Sequence, residues 1–190
     1  MRGTPPHYAW PGIDIRYTPA VCLVESAGYE RGPDAVNMLT DLATADLDTA
    51  QDEQRLGAHG VRVRRAVPDD RERLLSWMPT WGGSWVGEVA IAYDPPRCHI
   101  AVHGDGEQAE VVGFGCHGVK RDTWFGPMGT AESRRGLGVG AILPRRCLSD
   151  QQKAGIGEAE IAWTGPYRLY ARAVGSRLER TFRLYHKDPV

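Results

Sequence analysis

The sequence lacks a long hydrophobic run. No stretch of its 190 residues approaches the roughly 20 consecutive apolar residues that a helix needs to cross a bilayer. The N-terminal residues 1–6, MRGTPP, also lack the apolar centre of a secretory signal peptide. We therefore predict a cytoplasmic protein that has no membrane partner.

Closely spaced cysteines are absent as well. The chain has four cysteines, none of them in a CxxC pair: Cys22, Cys98, Cys116 and Cys147. Their scatter argues against a disulfide framework and against a zinc site, so we expect small buried side chains. His99 and His103 share a strand face, but no third ligand has a matching spacing. We therefore assign both histidines structural roles and predict no bound metal.

The sequence has no excess of positive charge. Its formal net charge is -1, which excludes the global basic field that recruits nucleic acid. Residues 1–52 carry three basic and eight acidic residues, a net charge of -5, and residues 53–190 carry 20 basic and 16 acidic residues, a net charge of +4. The mildly basic larger part suits an anionic small-molecule ligand better than a polyanion.

The patterns along the chain predict an α/β protein. Residues 43–59 are rich in Ala and Asp and predict a connecting helix that ends at Gly60. Alternating and β-branched stretches predict strands near 61–64, 98–103, 111–118, 124–130, 159–163 and 178–185, with helices near 70–78, 85–93, 140–154 and 167–174. This order predicts a mixed, mostly antiparallel sheet flanked by helices, with one parallel step.

The most informative stretch reads TAESRRGLGVG over residues 130–140, between a predicted strand and a predicted helix. A helix N-terminus offers unpaired N–H groups and a partial positive charge, and glycines let an anion approach them. Arg134 and Arg135 add charged donors, so the stretch predicts a pyrophosphate cradle. It is neither a Walker A loop, which needs a following Lys-Ser/Thr, nor a GxGxxG fingerprint. A tight turn with close helix–strand packing is the alternative.

Here the chain resembles the GNAT-type N-acetyltransferases. Their coenzyme motif reads Arg/Gln-x-x-Gly-x-Gly/Ala after a strand, and Arg135, Gly138 and Gly140 match its three fixed places. The segment 169–175, LYARAVG, is similar to the family's Phe-Tyr-x-x-x-Gly, with one extra residue before the glycine. The resemblance covers residues 61–190 and implies the GNAT fold.

By this resemblance acetyl-CoA is the co-substrate, and ten residues would hold it: Met128, Gly129, Thr130, Arg134, Arg135, Gly136, Leu137, Gly138, Val139 and Gly140. The loop backbone would bind the pyrophosphate, and the strand edge at 128–130 would pair with the pantetheine arm. Tyr170 would lie near the sulfur and protonate the leaving thiolate, since a phenol is protonated near neutral pH. A packing role for Tyr170 is the alternative, and Tyr167 is a less favoured substitute.

The first sixty residues contain a weak internal repeat. Residues 13–18 and 23–29 parallel the strand and helix near 160–164 and 169–175, and thirteen positions separate Gly28 from Asp41 as they separate Gly175 from Asp188. We therefore predict a partial GNAT-like remnant over 1–42, a linker helix over 43–60 and a complete domain over 61–190. The remnant is either a truncated unit or an accessory layer, packed on the domain or on a second copy in a homodimer.

The acceptor side is less specific. Three tryptophans recur at a spacing of four: Trp77, Trp81 and Trp85. They are interpreted either as core packing or as an aromatic wall for the acceptor. Glu88, Glu132 and His117 are weak candidates for a base. The predicted function is transfer of an acetyl group from acetyl-CoA to a primary amine of a small molecule or peptide, by direct attack. The alternative is a non-catalytic acyl-CoA-binding or assembly module.

Overall fold

The computed structural model describes residues 10–81, 83–94, 96–106 and 109–188. The N-terminal segment 1–6, the start of the predicted remnant and the last two residues of the predicted domain lie outside this part. The strands in the described part are β1 (Ile13–Asp14), β2 (Glu30–Asp41), β3 (Val61–Arg65), β4 (Cys98–His103), β5 (Glu110–His117), β6 (Trp124–Thr130), β7 (Glu158–Thr164) and β8 (Arg177–His186). The α-helices there are α1 (Thr18–Ser26), α2 (Ala50–Gly57), α3 (Asp70–Trp77), α4 (Trp85–Ala92), α5 (Val139–Lys153) and α6 (Tyr167–Val174).

All eight strands form one sheet in the order β1-β8-β2-β7-β6-β5-β4-β3. The pairing of β6 with β7 is parallel, whereas the other pairings are antiparallel. This confirms the predicted mixed, mostly antiparallel sheet with a parallel step around the glycine-rich helix. No helix in the described residues is both long and apolar enough to cross a membrane.

Helices cover both faces of the sheet. On one face, α3 and α4 bury Leu74 and Val89 against Phe114 of β5. On the other face, α5 buries Ile142 and Leu143 against β3, β4 and β5. Close approach of α5 depends on small residues in β5: a Cβ at position 115 would lie 3.3 Å from the Leu143 Cβ. The core therefore fixes the start of α5 over the middle of the sheet.

The strands β6 and β7 pair over only two positions before they part. Trp124 and Phe125 of β6 lie opposite Glu160 and Ile161 of β7. Beyond them β7 continues along β2, whereas residues 128–130 of β6 continue along β5. One edge of β6 over 128–130 thus faces a gap between two strands that remain in the same sheet.

The N-terminal segment takes part in this sheet. Strand β2 lies between β7 and β8, and buries Asn37, Met38 and Thr40. The Thr40 and Ser176 hydroxyls hydrogen-bond at 2.6 Å. The division into 1–42, 43–60 and 61–190 stays a prediction, but strands from both sides of residue 60 share one sheet.

Two N-terminal elements differ from the sequence-based predictions. The strand expected over 13–18 is only Ile13–Asp14, and the helix expected over 23–29 begins earlier, at Thr18. Pro19 explains the early start, because proline suits the first turn of a helix. Gly28, with φ of +76°, ends that turn before β2 begins.

The linker helix is shorter than predicted, since α2 covers only Ala50–Gly57 of residues 43–60. Before it, carboxylates of Asp41, Asp46 and Asp48 accept hydrogen bonds from backbone N–H groups two residues ahead. Such local bonds satisfy the backbone without a helix, and this is why the Asp-rich stretch stays irregular. The helix is tied to α5 by ion pairs, for example Arg146 Nε to Glu53 Oε1 at 2.6 Å.

Candidate active site

The glycine-rich turn connects β6 to α5 in a backbone conformation that favours glycine. Gly136 has φ of +87° and Gly138 has φ of +100°. Gly138 is the N-cap of α5, and no side chain caps the helix. The first N–H groups of α5 are therefore left for a ligand or solvent, and the helix dipole adds a partial positive charge there.

A cavity of about 540 Å³ lies over this turn, and we call it the loop cavity. Its lining residues are Trp81, Met128, Gly129, Thr130, Arg134, Arg135, Gly136, Gly138, Val139, Gly140, Ala141, Pro166 and Leu169. Nine of the ten residues predicted to hold acetyl-CoA are among them. The exception is Leu137, whose side chain packs against the core cluster under α5.

The two arginines of the turn have different surroundings. Arg135 is exposed, and its Nη1 pairs with Glu132 Oε1 at 2.8 Å. An exposed pair of this kind contributes about 0–1 kcal/mol, so Arg135 can exchange it for an anionic ligand. Arg134 donates from Nη2 to His103 Nδ1 at 3.2 Å, while its buried Nε has no hydrogen-bond partner in the described part of the chain. The cavity thus offers two guanidinium groups beside the turn.

A second cavity of about 310 Å³ lies where β6 and β7 part, and we call it the strand cavity. It shares Met128 and Pro166 with the loop cavity. Its charged lining side chains among the described residues are Glu88 of α4 and Lys120 of the β5–β6 connection. Glu88 is buried, and its Oε1 accepts a hydrogen bond from Ser84 Oγ at 2.7 Å.

Tyr170 lines the strand cavity from α6. Its ring packs edge-on against Phe125, with 5.8 Å between centroids. Burial raises the pKa of Tyr170 to about 12, although a hydrogen bond with Thr164 acts in the opposite direction. The phenol is therefore protonated at neutral pH. Tyr167, the less favoured alternative, is 46% exposed and is not among the lining residues of this cavity.

Comparison with known proteins bears on the fold. None of the protein-family models and none of the curated protein sequences matches the chain. Several solved structures do match the chain. A GCN5-related glucosamine N-acetyltransferase region of a fungal multi-domain GH3 β-N-acetylglucosaminidase matches with a TM-score of 0.78 and 17% identity, over 97% of this chain and 25% of the fungal one. A GCN5-related N-acetyltransferase from Sphaerobacter thermophilus matches with a TM-score of 0.71 and 22% identity, over 93% of this chain and 58% of that one.

The fold is that of the GCN5-related N-acetyltransferases. A tandem GNAT protein from the clavulanic acid biosynthesis pathway matches it too, with a TM-score of 0.56 and 12% identity over 87% of this chain and 57% of that one. The chain spans a quarter of the fungal chain and less than two thirds of the other two. These likenesses confirm the GNAT fold that the glycine-rich motif predicted.

Within this GNAT fold the three tryptophans of the predicted acceptor side form a continuous row. Trp81 lies 5.5 Å from Trp77 and 5.7 Å from Trp85 between ring centroids, and all three contact Phe114. Trp81 lines the loop cavity and Trp85 lines the strand cavity. The row therefore packs on the core, and two of its rings also line the cavities. A role of these rings as a wall for the acceptor stays a prediction.

Lys120 and Trp163 also line the strand cavity, although no sequence motif indicates them. The Lys120 ammonium lies 4.0 Å from the Trp163 ring centroid and 5.6 Å from that of Trp124. The backbone N–H of Trp163 donates to Asn37 Oδ1, and Asn37 Nδ2 in turn donates to Glu160 Oε1. This network depends on β2 lying beside β7, a long-range pairing for which the sequence carries no local signal.

The histidines have packing partners away from the strand cavity. His99 Nε2 lies 2.7 Å from Asp150 Oδ2 of α5, and His117 Nε2 lies 3.5 Å from the same oxygen. Burial alone would raise the pKa of Asp150, but hydrogen bonds from His117 and His99 and the charge of Arg65 hold it far below its usual range. In the described residues no group of three or more His, Cys, Asp or Glu side chains could hold a metal ion.

Proposed function

We propose that this chain is an N-acetyltransferase that moves the acetyl group of acetyl-CoA to a primary amine of a small-molecule or peptide acceptor. One observation carries the proposal: the loop cavity and the strand cavity share Met128 and Pro166, where β6 and β7 part. An acyl thioester held along the free edge of β6 would place its acyl group beside Glu88 and Tyr170.

The residues of the loop cavity fit a coenzyme with a pyrophosphate and an extended arm. The uncapped start of α5 and the side chains of Arg134 and Arg135 supply donors for the phosphates. The edge of β6 over 128–130 supplies backbone groups for the arm, since β7 has turned away to β2. When bound, acetyl-CoA supplies an activated acyl group, and the protein supplies orientation and proton transfer.

Glu88 is the carboxylate that we propose for the acceptor amine. The nitrogen forms its bond to the acyl carbon while the carbon–sulfur bond breaks, and the ammonium so formed must lose a proton. A carboxylate within reach accepts it. We prefer Glu88 to Glu132, because Glu132 is exposed and pairs with Arg135 beside the loop cavity.

Tyr170 is the group that we propose for the leaving sulfur. Its pKa of about 12 exceeds the ordinary value of about 8.5 for a thiol. Complete proton transfer from the phenol to the thiolate would therefore be uphill by about 5 kcal/mol. We propose that Tyr170 donates a hydrogen bond to the thiolate, and that its proton passes to the sulfur only as the proton that Glu88 took from the amine replaces it on the phenol oxygen.

A non-catalytic assembly module is the second candidate, and the N-terminal helix favours it. None of the residues of α1 is buried, although the helix contains Val21, Leu23 and Val24. Leu23 is 69% exposed and the nearby Tyr17 is 62% exposed. An apolar surface of this kind suits contact with another protein surface.

Two measurements on the full chain separate the candidates. Calorimetry reports acetyl-CoA binding, and thiol release reports turnover against a panel of amines. We expect both binding and amine-dependent thiol release. Binding without release across a panel of small amines, amino acids, amino sugars and peptides would favour a non-catalytic acyl-CoA-binding module. Absence of binding would reject the enzyme and leave the assembly module.

A further inference from the structure

The strand cavity contains a second charged side chain that acetyl transfer does not use. Lys120 lines the cavity together with Glu88, and its ammonium lies over the Trp163 ring at 4.0 Å. Burial lowers the pKa of Lys120, while the charge of Glu88 raises it.

Two more cations continue from Lys120 along a line of aromatic rings. The Arg121 guanidinium lies 5.1 Å from the Trp124 centroid and 5.3 Å from the Trp10 centroid. The Arg180 guanidinium lies 5.7 Å from Trp10. We call the three cations Lys120, Arg121 and Arg180 the cationic track. It borders the strand cavity, since Lys120 and Trp124 are both lining residues.

The carboxylates near this track are held by other side chains. In the described residues neither Arg121 nor Arg180 forms an ion pair with a carboxylate within 4.0 Å. Asp14, whose carboxylate interacts electrostatically with Arg180, is already hydrogen-bonded by Arg16. Asp122, beside Arg121 in sequence, pairs with Arg97 at 2.7 Å. The carboxylate of Glu160 accepts hydrogen bonds from Trp124 and Asn37 behind the rings. Among the described residues the strand cavity itself is thus lined by one acidic side chain, Glu88, and one basic side chain, Lys120.

Separated charges of opposite sign suit a ligand that carries both signs. Glu88 suits an ammonium group, and Lys120 suits an anionic group on the same molecule. We propose that the acceptor is an amine that also bears a carboxylate or a phosphate, and that Lys120 is the residue that selects it. This inference rests on the proposed function, because it assigns the acceptor class of the same site.

Matched pairs of acceptors test the selection. One pair is β-alanine and β-alaninamide, and the other is glucosamine 6-phosphate and glucosamine. The first pair varies a carboxylate and the second a phosphate, so the pairs also distinguish the two anions. A charged hydrogen bond contributes about 1.5–3 kcal/mol, so we expect kcat/KM for the anionic member of at least one pair to exceed that of its neutral partner by about tenfold or more.

Substitution of Lys120 should remove that preference. In Lys120→Met the ratio of kcat/KM between anionic and neutral partners should fall to about one, mainly through a higher KM for the anionic acceptor, with KM for acetyl-CoA unchanged. Lys120→Arg should keep most of the ratio because it keeps the charge. Lys153→Met, which removes a charge from the exposed end of α5, is the matched control and should leave the ratio unchanged.

Binding provides a readout that does not need turnover. The intrinsic fluorescence of the tryptophans beside Lys120 should respond to the anionic member of a pair at lower concentration than to the neutral member, and Lys120→Met should abolish the difference. Anion-selective binding without acetyl transfer would support this inference and reject the proposed function. Transfer with equal efficiency to both members of each pair, or an equal loss for both in Lys120→Met, would overturn the inference and leave the proposed function standing.

Discussion

At the scale of single residues, Tyr170 carries the sharpest prediction. Tyr170 lines the strand cavity, and its ring is packed against Phe125. Tyr170→Phe keeps the ring and should therefore unfold at nearly the wild-type temperature. Loss of a positioned proton donor costs about 100-fold or more in rate, so we expect kcat to fall by that factor with little change in KM. Steady-state kinetics together with thermal unfolding checks this, and an unchanged kcat would reduce Tyr170 to a packing residue.

Glu88 and Glu132 form a matched pair for the proton acceptor. Glu88→Gln keeps the hydrogen bond from Ser84 but removes the negative charge. We expect kcat/KM for the acceptor to fall by about 100-fold, and the loss to shrink as pH rises, because hydroxide can then accept the proton that the attacking nitrogen loses. Glu132→Gln should leave the pH–rate profile unaltered. Equal losses in both variants would argue against Glu88 as the base.

At the scale of elements, the start of α5 explains why the glycine pattern was informative. A local motif of three positions predicts the turn, since φ above zero at Gly136 and Gly138 depends on neighbours in sequence. Local sequence patterns also predict α4, α5, α6 and β6, whose bounds lie within about two residues of the predicted ones. The irregular stretch before α2 depends on hydrogen bonds from backbone N–H groups to Asp side chains, and the early start of α1 depends on Pro19. Hydrophobic periodicity reports neither of them.

Gly138→Glu tests the cradle. The left-handed backbone at position 138 should cost any side chain about 1–2 kcal/mol, and a carboxylate there would repel phosphates. We expect affinity for acetyl-CoA, measured by calorimetry below the unfolding temperature, to fall by about tenfold or more. Gly157→Glu is the control, because a side chain at position 157 would meet no atom within 4 Å. Unchanged affinity in Gly138→Glu would show that the coenzyme lies elsewhere.

Helix α5 is also fastened to the sheet by Asp150, and this contact makes stability depend on pH. The pKa of Asp150 is lowered in the folded protein, so the carboxylate stabilises the fold above its unfolded pKa of about 3.9 and loses this effect as pH falls below that value. We expect Asp150→Asn to lower the free energy of unfolding at pH 7 by about 3–5 kcal/mol, measured by urea denaturation against wild type. The difference should shrink at pH 3, and a constant difference would indicate lost packing instead.

At the scale of the whole molecule, the N-terminal segment shapes the strand cavity from a distance. Asn37 Oδ1 of β2 accepts a hydrogen bond from the backbone N–H of Trp163 at 2.9 Å, and Asn37 Nδ2 donates to Glu160 Oε1 at 2.6 Å. Glu160 Oε2 accepts from Trp124 Nε1 at 2.6 Å. Both tryptophans belong to the cavity wall. Neither the hydrogen bonds of Asn37 nor the place of β2 between β7 and β8 could be predicted. Asn37 lies 123 positions from Glu160 and 126 positions from Trp163 in the sequence, and no local pattern encodes the pairing.

Removal of residues 1–42 therefore tests the domain prediction directly. Without β1 and β2, strand β8 would lose both of its neighbours, and Ile161 of β7 would lose its partner Met38. Two open strand edges favour association over folding. We expect the chain of residues 43–190 to aggregate or to lack a cooperative unfolding transition, and Met38→Ala in the full chain to cost about 2–5 kcal/mol.

Complementation makes this last prediction specific. If β2 acts as a strand of the sheet, a peptide of residues 10–42 added to the truncated chain should restore a cooperative transition together with acetyl-CoA binding. The same peptide with Asn37→Ala should restore less of the transition and of the binding. Glu160 and the backbone N–H of Trp163 would then lose their hydrogen bonds to Asn37. A truncated chain that folds and binds acetyl-CoA unaided would instead support 61–190 as a complete domain, with the first 42 residues as an added layer.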